Sequence, residues 1–176
     1  MRMVPALDAG PVLHELRTPI SPDETFGELE LRLSELGALA LIESLALLEV
    51  GLAQERPQDD ALATYAHKTE RAHARVNWAG PAEDVARAIR AYDPRPGAFA
   101  THRGADVKLF GGRPVTVEER PDATPGEVIA LGPDGLTVKC GEDAVRIAVV
   151  QPAGKGRLAP AEWARGRGIE LGEILG

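Results

Sequence analysis

The chain has 176 residues, 44% of them apolar, and a net charge of −7, which suits a soluble globular protein of one domain or one and a part. Its single cysteine, Cys140, excludes an internal disulfide and a cysteine-based zinc site and fits a reducing compartment. The longest apolar run, residues 38–50, is interrupted by Glu43 and Glu49 and falls short of the ~20 residues needed to span a bilayer. With no secretory apolar region after Met1 either, a cytoplasmic protein with no membrane partner is expected.

Charge is divided unevenly. Residues 1–60 hold 4 Lys and Arg against 12 Asp and Glu, whereas residues 61–176 hold 16 against 15. The near-neutral second part can carry a basic stripe, so nucleic acid is a permitted partner there.

In chain order, residues 1–6 read as a strand, Leu7-Asp8-Ala9-Gly10-Pro11 as the turn after it and residues 12–20 as a second extended piece. On local sequence Asp8 is a turn residue, and His14 a structural histidine. Thr25-Phe26-Gly27-Glu28 has capping-box spacing, so a helix is predicted over residues 25–50. Leu29, Leu33, Leu36 and Ala40 make one apolar stripe. From Ala38 onward the helix is apolar nearly all round until Gly51 ends it. Such a helix wants cover on several sides, and two short strands are too few to provide a sheet for it.

Residues 52–80 form a polar connector containing Pro57-Gln58-Asp59-Asp60, with Trp78 as an anchor where packed structure resumes. Lys68, Arg71 and Arg75 lie along it, readable as solvated charges or as phosphate contacts. A helix follows from Pro81, with Glu83 and Asp84 at its positive end and Val85, Ala88, Ile89 and Tyr92 on one face. Asp93-Pro94-Arg95-Pro96-Gly97 stops it.

Beyond Gly97 the pattern becomes all-β, with short apolar runs at residues 98–101, 107–110, 115–118, 126–131, 136–140 and 144–151. Gly111-Gly112, Pro133-Asp134-Gly135 and Gly141-Glu142-Asp143 are the predicted hairpin turns. Cys140 is a small core residue of this region. Residues 151–157 make a Gly-rich loop bearing Lys155 and Arg157, and residues 160–165 a short helix.

Five ordered pieces carry a family resemblance: Leu7-Asp8-Ala9-Gly10-Pro11, the helix from Thr25 to Gly51, Pro57-Gln58-Asp59, the stretch LATYAHKTERAHARVNWAGPAEDVARAIRAYDPRPGAF, and Val150-Gln151-Pro152-Ala153-Gly154-Lys155. Together they resemble the end of the catalytic domain and the C-terminal domain of methionyl-tRNA formyltransferases. The resemblance implies an α+β chain: strands and a long helix remaining from an α/β nucleotide-fold domain (residues 1–56), a connector (57–76) and an OB-like β-barrel that binds tRNA (77–176). It also implies that Asp8 is catalytic, the one member here of a family Asn-His-Asp set whose other members lie upstream. Lys68, Arg71, Arg75, Lys155 and Arg157 become tRNA contacts, 10-formyltetrahydrofolate the formyl donor, and initiator methionyl-tRNA the acceptor. Most of the folate site is expected upstream, so the chain alone is expected to lack activity and to have that upstream half as a possible partner.

This sequence departs from the family in having His67 where Pro is usual, Asn77 where Asp is usual, and Asp93 and Arg95 where Asn and Trp are usual. Arg95 in place of an aromatic puts any stacking at that point in doubt. Four scattered histidines form no metal-ligand pattern. Two other readings stand beside the first: a non-catalytic tRNA-binding module, and a related formyltransferase with a different amine acceptor. The Ala63-Thr64-Tyr65-Ala66 connector and the Gln-Pro-Ala-Gly loop favour the tRNA enzyme.

Overall fold

A computed structural model describes residues 1–117 and 122–176. They form two compact units, one of Met1–Glu24 with Glu28–Lys68 and one of Thr25–Gly27 with Thr69–Gly176.

The first unit is dominated by helix α1 (Phe26–Glu49). Its C-terminus follows from Gly51, whose left-handed backbone (φ 71) only glycine adopts without strain. The Gly51 N–H then bonds Leu48 O at 3.2 Å and the Leu52 N–H bonds Leu47 O at 2.9 Å, satisfying two end carbonyls. Arg32 ties the preceding segment to the helix by donating to Glu24 at 2.7 and 2.9 Å and to Pro19 O at 2.9 Å. The Arg32 hydrogen bond is the main cause that holds the Glu24 carboxyl below its usual value. No side chain of α1 is buried, and Leu31, Leu41, Ile42 and Leu45 are all largely exposed.

The strand predicted over residues 1–6 does not form, and the extended piece over residues 12–20 does not become a strand. What forms is one antiparallel bridge, Val12 to Arg56, with backbone bonds of 2.9 and 3.0 Å. An extended segment becomes a strand only beside a partner that takes a run of its hydrogen bonds, and these segments have isolated ones: the Val12 to Arg56 pair, and the Arg2 N–H to Pro11 O at 3.0 Å.

The second unit packs helix α2 (Ala82–Ala91) on a five-stranded antiparallel sheet of β1 (Phe99–His102), β2 (Ala105–Val115), β3 (Val128–Gly132), β4 (Gly135–Lys139) and β5 (Ala144–Pro152). The strand order is β1-β2-β5-β4-β3. α2 buries Ala82, Val85, Ala86 and Ile89, the face its sequence period predicts. These residues join Trp78, Leu109, Leu136, Val138, Ile147, Val150 and Trp163 in one core, with Trp163 supplied by α3 (Pro160–Arg165). The predicted turns at Pro133-Asp134-Gly135 and Gly141-Glu142-Asp143 join β3 to β4 and β4 to β5.

The turn predicted at Gly111-Gly112 is wrong, because both residues lie inside β2, where Gly112 pairs with Ile147 of β5. The runs at 107–110 and from 115 are therefore one strand, and Glu118 falls outside the described residues. The glycines serve packing instead. Gly112 lies against Ile89 of α2, where an added Cβ would come within 2.8 Å of its side chain. Gly111, at φ 64, lets β2 change which side faces the core: Val107 and Leu109 point inward before it, Gly112 after it. No β1 to β3 pairing occurs among the described residues. The segment after α3 bonds to both edges, Val128 N–H to Glu173 O at 2.8 Å on β3 and Gly176 N–H to Thr101 O at 2.8 Å on β1. No helix among the described residues is long and apolar enough to cross a membrane.

Candidate nucleic-acid interface

Two sets of predicted site residues fall in different units. In the first, Asp8 is exposed on a left-handed turn (φ 52). The turn is fixed by a residue that sequence reasoning did not assign a role: the Gln58 side-chain amide donates to Asp8 O and to Gly10 O, both at 2.7 Å. Gly10 is buried, and any side chain there would collide with the Arg2 carbonyl. Two of the singled-out motifs, the Leu-Asp-x-Gly turn and Pro57-Gln58-Asp59, thus make one structure. His14 bonds Glu43 at 2.7 Å, in keeping with a structural histidine. A cleft of about 480 Å³ runs along α1, lined by Leu13, His14, Ala40, Leu41, Leu45 and Leu48 among others, and Asp8 is not in its lining.

In the second unit the register builds a basic, aromatic sheet face. Phe99, Lys108 and Gln151 stand opposite one another across β1, β2 and β5, so their side chains share one side, with Asp106 and Phe110 two residues either way from Lys108. The intervening Ala100, Val107, Leu109 and Val150 point into the core. Phe99 and Phe110 are 6% and 3% exposed, yet neither belongs to that core. Arginines cover them. The Arg71 and Arg75 guanidinium carbons stand 5.1 and 5.2 Å from the Phe99 centroid, and that of Arg157 stands 3.6 Å from the Phe110 centroid.

Four of the five predicted tRNA contacts, Arg71, Arg75, Lys155 and Arg157, belong to this unit; Lys68 is the last residue of the first. Arg71 pairs with Asp106, Arg75 donates to Gly176 O at 3.2 Å, and Arg157 pairs with Asp93 at 3.3 Å. Lys155 is exposed, and its loop is held by Gln151, whose side-chain amide donates to Lys155 O at 3.1 Å. Sequence reasoning missed Lys108, Phe99 and Phe110. The signal was present: in Val107-Lys108-Leu109-Phe110 the strand period puts Lys108 and Phe110 on the side away from Val107 and Leu109.

A helix on a five-stranded antiparallel sheet with a cationic, aromatic face defines a class of small α+β domain. A family model described as the formyl transferase C-terminal domain matches residues 68–168, and the chain belongs to that family. Over the chain as a whole, the methionyl-tRNA formyltransferase of Nitrosospira multiformis is 40% identical across 169 residues, covering 96% of this chain and 54% of that protein. That of Acidithiobacillus ferrooxidans is 40% identical across 176 residues, covering 100% and 56%. This chain spans just over half the length of these curated relatives. Among solved structures, a variant of HypX from Aquifex aeolicus matches with TM-score 0.68 and 26% identity over 90% of this chain and 29% of HypX. HypX in complex with tetrahydrofolic acid matches with TM-score 0.68 at 24% identity over 90% of this chain and 28% of that one, a likeness of fold alone.

Proposed function

We propose that this chain is the C-terminal portion of a methionyl-tRNA formyltransferase, which moves the formyl group of 10-formyltetrahydrofolate to the methionyl amine of initiator tRNA. The observation that carries this reading is the 40% identity to such enzymes along the full chain, through both units. In this reading residues 1–56 end the catalytic domain, 57–76 are the connector and 77–176 an OB-like tRNA-binding barrel, in the cytoplasm. The bonding of the segment after α3 to both β1 and β3 supports a closed barrel.

Asp8 is the catalytic residue this chain contributes. The acceptor amine attacks the formyl carbon to give a tetrahedral intermediate, whose oxyanion needs donors that a carboxylate cannot supply. Asp8 instead orients an upstream histidine and stabilises its charged form as protons move. The rigid Gln58-pinned turn supports this role by fixing the backbone that presents the carboxylate. The cleft along α1 does not include Asp8 in its lining. The upstream half supplies the folate site, and its natural seat is the apolar side of α1, where Leu41, Ile42 and Leu45 are exposed.

The test is formyl transfer to methionyl-tRNA by the chain alone and with the upstream half of a relative added in trans. No transfer is expected alone, and with the added half a transfer that Asp8→Ala removes. Turnover by the chain alone, or restored turnover indifferent to Asp8→Ala, overturns the assignment. Binding of tRNA is expected to be weak and to fall as salt rises, because phosphate contacts release counterions. Lys68, Arg71, Arg75, Lys155 and Arg157 carry it, each lost phosphate contact lowering the salt slope by about one. Salt-independent binding, or binding unchanged in a Lys155→Glu, Arg157→Glu double variant, refutes this basic surface.

A further inference from the structure

We propose that Arg157, layered on Phe110, is a stacking platform for an unpaired RNA base, and does not serve chiefly as a phosphate contact. The inference rests on the reading of the second unit as an RNA-binding domain and assigns one residue of that surface a different chemistry.

The geometry separates Arg157 from the other arginines. Its guanidinium carbon is 3.6 Å from the Phe110 centroid, against 5.1 and 5.2 Å for Arg71 and Arg75 over Phe99. At 3.6 Å a nitrogen aimed straight at the ring would collide with it, so the short distance favours a guanidinium layered on the ring. One side of that plane is taken by Phe110. The Arg157 side chain keeps 45% of its surface in solvent although Phe110 and Asp93 contact it, and the base is assigned to that exposed surface. A flat, delocalised cation with a free face stacks on nucleobases as an aromatic ring does.

Charge compensation points the same way. Asp93 meets an Arg157 nitrogen at 3.3 Å, so the in-plane hydrogen-bonding edge of the guanidinium already faces a carboxylate. A phosphate clamp needs that edge and that net charge; a stacking platform needs only the face, and an edge contact that holds the plane still improves it. Gly97 keeps the ground beside the platform clear: a Cβ there would come within 2.8 Å of the Lys108 stem and 3.4 Å of Phe110. Two residues before Arg157, Lys155 is exposed, with an ammonium that has no partner among the described residues, so the phosphate flanking a stacked base has a cation beside it. The site thus suits a base splayed out of a loop or single strand, whereas a base inside a duplex has both faces covered by its neighbours.

The experiment uses a short single-stranded RNA carrying 2-aminopurine, whose fluorescence is quenched on stacking, and the same sequence annealed into a duplex. The full chain is expected to bind the single strand more tightly and quench it. Arg157→Lys keeps the charge and loses the plane, so affinity for the single strand should fall on the order of tenfold and quenching should disappear, with the salt slope unchanged. Phe110→Leu, which keeps an apolar side chain under Arg157, should lose quenching as well. Lys155→Glu should flatten the salt slope while leaving quenching at saturation. If Arg157→Lys binds and quenches as the parent does, the platform is refuted, and the basic surface still stands provided Lys155→Glu weakens binding. If Lys155→Glu and the Lys155→Glu, Arg157→Glu double variant are also silent, the RNA-binding reading falls with it.

Discussion

The two units of this chain use similar apolar residues to opposite effect. α1 is rich in leucine, yet none of its side chains is buried, while β5, with fewer and smaller apolar groups, buries Val145, Ile147 and Val150 completely. The difference is not hydrophobicity but company. β5 lies between β2 and β4 and beneath α2, so each inward residue meets several elements. α1 is a long helix whose apolar girth exceeds what the rest of its unit covers. A sequence can state that a helix seeks burial; only the presence of a facing surface turns that demand into stability.

Paired substitutions break the comparison most directly. Ile147, fully buried, and Ile42, 66% exposed, are the same residue in the two environments. Ile147→Ala should destabilise the second unit by about 2–5 kcal/mol through lost transfer energy and a cavity. Ile42→Ala should stay within about 0.5 kcal/mol. Chemical denaturation followed by tryptophan fluorescence measures the first, since Trp78 and Trp163 report on the second unit, and loss of the helical circular dichroism of α1 measures the second. Comparable losses at the two sites would mean that α1 is packed in solution as well as the sheet is.

A separation experiment sharpens the same point. Residues 69–176 are expected to fold alone, with β2 and β5 amides protected against hydrogen exchange, while residues 1–68 are expected to exchange fast along α1. Adding the upstream half of a relative should slow α1 exchange by orders of magnitude and leave β5 unchanged. Slow α1 exchange in the monomeric chain without that half would show the first unit to be self-sufficient, and the proposed docking of an upstream half on α1 would fail.

How much of this was legible in the sequence differs between the units for a physical reason. The α1 and α2 helices, the hairpin turns after β3 and β4, the short α3 and the buried Cys140 were all written in local signals: period, caps, turn residues. Gly111-Gly112 misled because a Gly pair signals a turn equally well as it signals close approach; Ile89, more than twenty residues upstream, decides between them. The front strand misled because a segment's own extended preference says nothing about a partner. Of the proposed site, the cations were visible as charges, but the layering of Arg157 on Phe110 and of Arg71 and Arg75 on Phe99 joins residues distant in sequence, and only the strand register brings them together.

Cys140 offers a probe confined to one side of the comparison. Burial pushes its thiol up to about 11, and its side chain is fully enclosed, so in the folded protein it is protonated and shielded at pH ~8, where a free cysteine is partly thiolate. Labelling by a thiol reagent should then require opening of the second unit. Ile147→Ala should accelerate labelling in proportion to its loss of stability, and Ile42→Ala should not change it. Rapid labelling of the parent chain would contradict the closed core around β4.

The smallest expected effect concerns the segment that bonds to both β1 and β3. Partial burial raises the Glu173 carboxyl, but hydrogen bonds from the Arg103 guanidinium, the Glu170 backbone N–H and the His102 ring together outweigh it and hold the group below its ordinary value. His102 is itself buried and packed edge-on against Trp163 at 5.3 Å, so these contacts fasten the final segment to β1 and to α3. A carboxylate with a lowered folded pKa contributes stability that is fully present above its unfolded value of about 4.3 and is lost as pH falls through the lower folded value. The parent should therefore exceed Glu173→Gln in Tm by a constant margin at neutral pH, with the margin closing only below pH ~4. Glu24 is also held low, by Arg32, but it belongs to the first unit, so Glu24→Gln should leave the sheet's melting profile unaltered at every pH. A Glu173→Gln margin that stays constant into strong acid would mean that the contact works through shape and not through charge, and would remove this acid-sensitive difference between the two units.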